Sequence, residues 1–318
     1  MVPRAPAAFL LFSVAASGAA AGPAGPPPFP RAQVVPQPGT QFSFQVDGRE
    51  VARYLAGPET PKPYFFPVIG PCGRPVTRIG HPRDPVSHGH HLGLWIGHQD
   101  VNGASFWELG PRAGRVVHDR ILRLDDGAAA TLAARATWVD AEGKALLADE
   151  RTWTLRPVEG TAEGSGFGEL LLDLDLTLVP VAGPVTLGKT PFGLLAVRVA
   201  KTMGVNDGGG RITNSEGKTG EAEIFWKPAR WCDYSGPAAP GVVNGLTLFD
   251  HPKNPGHPTA WHVRSDGWMG AAVTQGESLE ITKEKPLALR YRVWVHAGAC
   301  EPARTEERWK QWAEGGGR

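Results

Sequence analysis

The chain has 318 residues, 33 basic and 32 acidic side chains for a net charge of +1, and 41% hydrophobic residues including 11 tryptophans. That balance, with no basic stripe, excludes the phosphate-neutralising mode of nucleic-acid binding, while the apolar share suffices for a sizeable core. Three cysteines, Cys72, Cys232 and Cys300, are too few and too scattered for a disulfide scaffold, and no CxxC or CxxH spacing points to a zinc knuckle.

Residues 1–21 read as a secretory leader: Arg4 opens it, an apolar run follows, and Ala19-Ala20-Ala21 offers a small-residue cleavage site. The run is too short to span a bilayer, and no later stretch is apolar for long enough, so the expectation is an exported protein with no membrane span once the leader is removed. Residues 22–31, rich in Gly and Pro, read as a tether, and 32–318 as a single domain.

Alternation with a period of two dominates that domain. Phe42, Phe44 and Val46 alternate before Asp47-Gly48, and 51–55 follows; Asp-Gly between apolar runs signals a two-residue hairpin. A second hairpin is expected around 140–144, joining 131–139 to 145–155. Leu170, Leu172, Leu174, Leu176 and Leu178 line one face of a further strand. Segments 241–249, 268–273 and 287–296 also read as strands. Helical periodicity is confined to 303–313, opened by Glu301-Pro302, with Trp309 and Trp312 on one face. The fold class expected is all-β: a large antiparallel β-sandwich of the supersandwich kind, with one short C-terminal helix.

Chemistry concentrates at 87–103, which holds His88, His90, His91 and His98, four of the ten histidines, with Trp95, Asp100 and Asn102. An imidazole titrates near neutrality and serves as acid or base. The expected catalytic set is His90, His91, His98, Asp100 and Glu108: His90 or His91 as general acid, Asp100 or Glu108 as opposing base or orienter. Trp95 and Trp107 offer stacking faces for a sugar ring. If the segment is extended, His88 and His90 share a side and are the pair that would chelate a divalent metal; no other cofactor is implied. A second constellation, 250–264, sets Asp250, His251, Asn254, His262 and Arg264 among prolines that stiffen the loop. With His88, Asn102, Lys62 and His296 these are the expected substrate-positioning residues. The letters of a phosphate-binding loop at 183–190 are rejected, because a strand pattern follows Lys189 where that loop demands a helix.

Taken together, the blocks Lys62-Pro63-Tyr64, 88–95, 100–107, Asp250-His251-Pro252 with Asn254-Pro255, and Trp261-His262-Val263-Arg264 followed by 289–296 resemble the family catalogued as "methane oxygenase PmoA", a domain of unknown function abundant in bacteria with many secreted sugar-degrading proteins. The resemblance covers about residues 46–298. It implies a β-sandwich like that of galactose mutarotases and a site formed by the shared His, Asp and Asn blocks. The true methane monooxygenase subunit crosses the membrane several times, so the family's name does not transfer as a function. This chain departs from the family pattern at Gly89 and Leu92, where Pro and Arg are usual. The reading reached is an exported carbohydrate-active protein whose His/Asp cluster performs acid–base chemistry of the epimerase, lyase or hydrolase type on a small-molecule or oligosaccharide substrate. The alternatives are a non-catalytic sugar-binding module and a metal-dependent oxygenase.

Overall fold

The computed structural model describes Met1 and residues 29–80, 88–161 and 166–315. Apart from Met1 the expected leader lies outside the described residues, as does the expected tether up to residue 28.

Among the described residues the chain forms eighteen strands. They are β1 (Ala32–Gln37), β2 (Gln41–Val46), β3 (Arg49–Leu55), β4 (Tyr64–Val68), β5 (Leu94–His98), β6 (Arg115–Asp125), β7 (Ala130–Val139), β8 (Ala145–Pro157), β9 (Leu170–Pro180), β10 (Val185–Leu187), β11 (Gly193–Arg198), β12 (Arg211–Asn214), β13 (Trp231–Ala239), β14 (Val242–Asp250), β15 (Ala260–Arg264), β16 (Trp268–Ala272), β17 (Leu279–Ile281) and β18 (Leu287–Ala297). Two single-turn helices, α1 (Val205–Gly208) and α2 (Glu221–Ile224), interrupt them, and α3 (Pro302–Glu314) closes the chain. The first sheet runs β1-β2-β3-β4-β5-β11-β16-β15 and the second β12-β13-β14-β18-β9-β8-β7-β6, with β10 and β17 as a separate pair. Every pairing between these strands is antiparallel. The expected all-β sandwich is therefore the observed one.

The turn chemistry acts as read. Asp47 and Gly48 both take positive φ, 51° and 73°, the conformation that a two-residue hairpin matched to strand twist requires. At the second hairpin Asp140 Oδ1 accepts the amides of Glu142 and Lys144 at 3.1 and 2.8 Å. The five alternating leucines of β9 all lie in the inter-sheet core. There the two sheets interlock through rings, with Phe65 of β4 5.0 Å edge-on from Trp153 of β8. A buried Asp149–Arg151 pair sits in this core, its carboxylate also accepting Trp138 Nε1–H at 2.9 Å.

Helix α3 lies against the second sheet through Trp309 and Trp312, which join Trp231, Phe249 and Trp294 in a separate aromatic cluster. The guanidiniums of Arg304 and Arg308 lie 4.8 and 4.6 Å from the Trp294 ring. All three cysteines are free thiols. No helix among the described residues is long and apolar enough to cross a membrane.

Candidate functional site

Strand alternation creates two chemically different faces on the first sheet. Leu94 and Ile96 of β5 join the inter-sheet core, as do Leu195 and Val197 of β11, Met269 and Ala271 of β16, and Trp261 and Val263 of β15. The intervening residues face the other way. Trp95, Ala196 and Trp268 form, with Leu92 and Trp107, a distinct cluster against which Phe192 packs. Above it is a cleft of about 520 Å³, walled by His88, His90, His91, Phe192, Phe225, Trp226, His262, Arg264, Asp266 and Trp268 among others. The cleft lies on the outer face of the first sheet, because the histidines occupy alternate-parity positions and the turns beside them.

The histidine segment is a turn, not a strand, up to β5. His91 N–H donates to the His88 carbonyl at 2.8 Å, and Gly93 (φ 74°) brings the chain so close to β4 that an added Cβ would sit 2.2 Å from the Phe65 carbonyl oxygen. The turn sets the rings of His88 and His91 in parallel, 4.7 Å apart at 6°, with His91 stacked in turn on Trp95 at 5.0 Å. His90 meets His91 edge-on at 4.5 Å. Across the cleft, His262 lies 4.2 Å from Trp268, 4.8 Å from Phe192 and 4.9 Å from Phe225. His262 Nδ1 is 3.3 Å from the Pro191 carbonyl oxygen. A carbonyl only accepts, so Nδ1 carries the proton and Nε2 keeps its lone pair.

Burial governs the charge state of these rings. Desolvation pushes His90 and His262 down to about 4. It pushes His91 down further still, helped by His90 and by the cations Arg198 and Lys62. At neutral pH all three are uncharged. Two carboxylates complete the wall. Asp266 lies 3.7 Å from His88 Nδ1 and 3.3 Å from Arg198 Nη1. Glu221 lies 2.9 Å from Arg264 Nε and accepts the Ser265 amide at 2.6 Å. Trp226 stands at the rim, 48% exposed, stacked 4.5 Å from Phe225 and held at φ 60°. A non-glycine residue in that region carries local strain.

Of the expected site residues, the cleft gathers His88, His90, His91, His262 and Arg264. Trp95 and Trp107 are 1% and 2% exposed, so they form its floor and offer no open stacking face. Lys62 is buried beneath them, donating to the carbonyls of Phe106 and Trp107 at 2.6 and 2.7 Å, and burial lowers it to about 7.

The other candidates lie elsewhere, each for an identifiable reason. His98 bonds Thr274 Oγ1 at 2.8 Å and accepts the Asp100 amide at 3.1 Å, so it anchors the end of β5. Asp100 caps the next turn through the Gly103 amide at 2.8 Å, and Asn102 Oδ1 accepts the Thr186 amide at 2.7 Å. Glu108 lines a separate groove with Glu59 and Leu109. Asp250, His251 and Asn254 close a loop against α3: Asn254 Nδ2 reaches Asp250 Oδ1 at 2.7 Å, Trp309 Nε1 reaches the Asp250 carbonyl at 2.9 Å, and His251 meets Trp312 edge-on at 4.9 Å. His296 is buried against Asp233 at 2.8 Å inside the second sheet.

The sequence reading missed Phe192, Phe225, Trp226, Trp268, Glu221 and Asp266. The signals available were the Asp266-Gly267 turn between β15 and β16, and the apolar pair Phe225-Trp226 isolated in a polar stretch.

The metal reading lacks a convergent ligand set among the described residues. Imidazole lone pairs lie in the ring plane, and parallel rings of the kind formed by His88 and His91 cannot aim them at one point. The rings of His88 and His90, the expected pair, cross at 83° with centroids 5.7 Å apart. Among the described residues no group of three or more His, Cys, Asp or Glu is arranged to hold an ion. The donor set does not fit a protein-held divalent metal.

An antiparallel sandwich with an aromatic, imidazole-walled cleft on the outer face of one sheet is thus the class that fold and site define. The chain belongs to the family of unknown function DUF6807, whose model matches residues 41–310; that description names no oxygenase. Among solved structures the chain is similar to "a putative mutarotase (YeaD) from Salmonella typhimurium", at 12% identity and a TM-score of 0.35, over 84% of this chain and 97% of that one. No curated protein matches.

Proposed function

We propose that the outer-face cleft binds a sugar ring and performs acid–base chemistry on it. The single observation that carries this reading is the convergence of four imidazoles with the exposed, strained Trp226. An exposed indole beside half-buried polar groups suits the apolar face and hydroxyl edge of a pyranose. The roles differ from those expected from sequence. Desolvated neutral imidazoles are bases, so His262, through Nε2, and His90 are placed to take a proton. His88, whose Nδ1 lies 3.7 Å from Asp266, is the ring placed to return one. Proton removal from the carbon beside a carbonyl is common to epimerase and lyase chemistry: an epimerase returns a proton to that carbon on its other face, whereas a lyase breaks the neighbouring C–O bond, leaves a C=C bond and gives the proton to the departing oxygen. The leader pattern at 1–21 supports action outside the cytoplasm.

The exposed indole favours a second reading, a binding module without turnover. One experiment separates the two. Neutral and acidic pyranoses are titrated against the full chain, with tryptophan fluorescence reporting binding and proton NMR in D₂O reporting exchange or a new product. Catalysis requires turnover that falls at least about 100-fold in His262→Ala. Saturable binding with no turnover by wild type selects the binding module. Binding unaffected by both His262→Ala and Trp226→Ala ends the proposal.

A further inference from the structure

We infer that the ligand of this cleft carries a carboxylate and that Arg264 selects for it. The inference rests on the sugar-cleft reading above and adds a substrate class to it. Its basis is which polar atoms of the wall are already engaged. Both Glu221 oxygens are occupied, one by Arg264 Nε at 2.9 Å and one by the Ser265 amide at 2.6 Å. The two Asp266 oxygens face Arg198 at 3.3 Å and His88 at 3.7 Å. Glu221 thus answers the protein's own donors, and Asp266 faces an arginine and a ring nitrogen of the protein.

The cations are placed differently. Arg264 uses Nε on Glu221 and lays its guanidinium 5.5 Å from the Phe225 ring. Its side chain stays 50% exposed, and its two Nη groups meet no acceptor among the described residues. A guanidinium fixed at Nε and along one face presents its outer edge as a pre-oriented two-donor fork, which matches a carboxylate bidentately. Beneath the floor, Lys62 faces only main-chain carbonyls among the described residues. Its field, when it is protonated, has no carboxylate to cancel it. A cationic ligand would meet the like charge of Arg264 and acids that already face Arg264 and Arg198. A neutral ring would gain stacking alone. A ring acid of the pyranuronate class uses the whole site.

The test is calorimetric titration of the full chain with galacturonate, galactose and cyclohexanecarboxylate, repeated with Arg264→Gln and Arg264→Lys. Wild type is expected to bind galacturonate at least about tenfold more tightly than galactose, the size of one charged bidentate contact. Arg264→Gln should bring that ratio close to one. Arg264→Lys, which keeps charge and loses the fork, should leave it intermediate. Equal affinity of wild type for the two sugars, or a preference that survives Arg264→Gln, overturns the inference while leaving the sugar reading standing. Arg264-dependent binding of cyclohexanecarboxylate with neither sugar bound does the reverse. Binding of none of the three overturns both.

Discussion

The turn at 88–91 and the loop at 250–258 look alike in sequence, each crowding histidines near acids, and the structure makes opposite use of them. In the loop the carboxylate is saturated: Asp250 receives Asn254 Nδ2 at 2.7 Å, His257 Nδ1 at 2.6 Å and the Thr259 amide at 2.9 Å. In the turn, Nδ1 of His91 is buried with no hydrogen-bond partner, and His90 and His91 are neutral through desolvation rather than through bonding. Saturated polar groups hold a fold together, whereas buried groups left open are retained at a cost in stability and mark a site.

The comparison breaks first at Asp250. Asp250→Ala orphans three donors, two of them buried, and should cost about 3–5 kcal/mol in urea unfolding, while ligand affinity at the cleft, measured under folding conditions, stays at the wild-type value. Next comes acid. His262 and His98 are held near 4 in the folded chain, below the ordinary histidine value of about 6.5. The unfolded chain then binds more protons than the folded one across that window. Their stabilising contribution is complete above about 6.5 and is lost as pH falls towards 4. The free energy of unfolding should drop through this range by an amount on the order of a few kcal/mol, and His98→Gln should make the decline shallower. His296 has the opposite sign, since Asp233 raises it despite burial; its contribution is lost as pH rises through its raised value, not as pH falls.

A smaller effect sharpens the contrast from the cleft side. Replacing the ring whose buried Nδ1 has no hydrogen-bond partner, in His91→Leu, should change stability by less than about 1 kcal/mol yet lower ligand affinity measured by calorimetry. The smallest shift is expected for Trp226→Gly. Glycine adopts φ 60° without strain, so the melting curve should show a gain of about 0.5–1 kcal/mol while stacking on the ligand is lost. A destabilised Trp226→Gly would show that the indole serves packing.

The strands and turns were legible because their signals are local. Asp47-Gly48 and the β9 leucines declare a hairpin and a buried face without reference to anything distant. The helix of Trp309 and Trp312 was equally plain from spacing. The cleft was legible only in its histidine turn and in His262 and Arg264. Its remaining walls come from α2 and from the ends of β11 and β16, and four-residue helices carry no periodicity to read. Proximity in sequence also misassigned Asp100 and Glu108. Both lie within twenty residues of the histidines, but the reversal at Asn102-Gly103 and the turn after Trp107 carry them away. Whether Asp250 was site or scaffold could not be read from composition, because part of the answer lies in the bond its carbonyl accepts from Trp309 Nε1, far along the chain.

The rings beneath the cleft form a cluster separate from the one that joins the two sheets. Changes made above Trp95 and Trp268 share no packing partners with the inter-sheet leucines, so their energetic effects should add to those of core changes with little interaction. Such a scaffold permits its ligand chemistry to be rewritten by engineering or by drift, one wall residue at a time, without renegotiating whether the polypeptide folds.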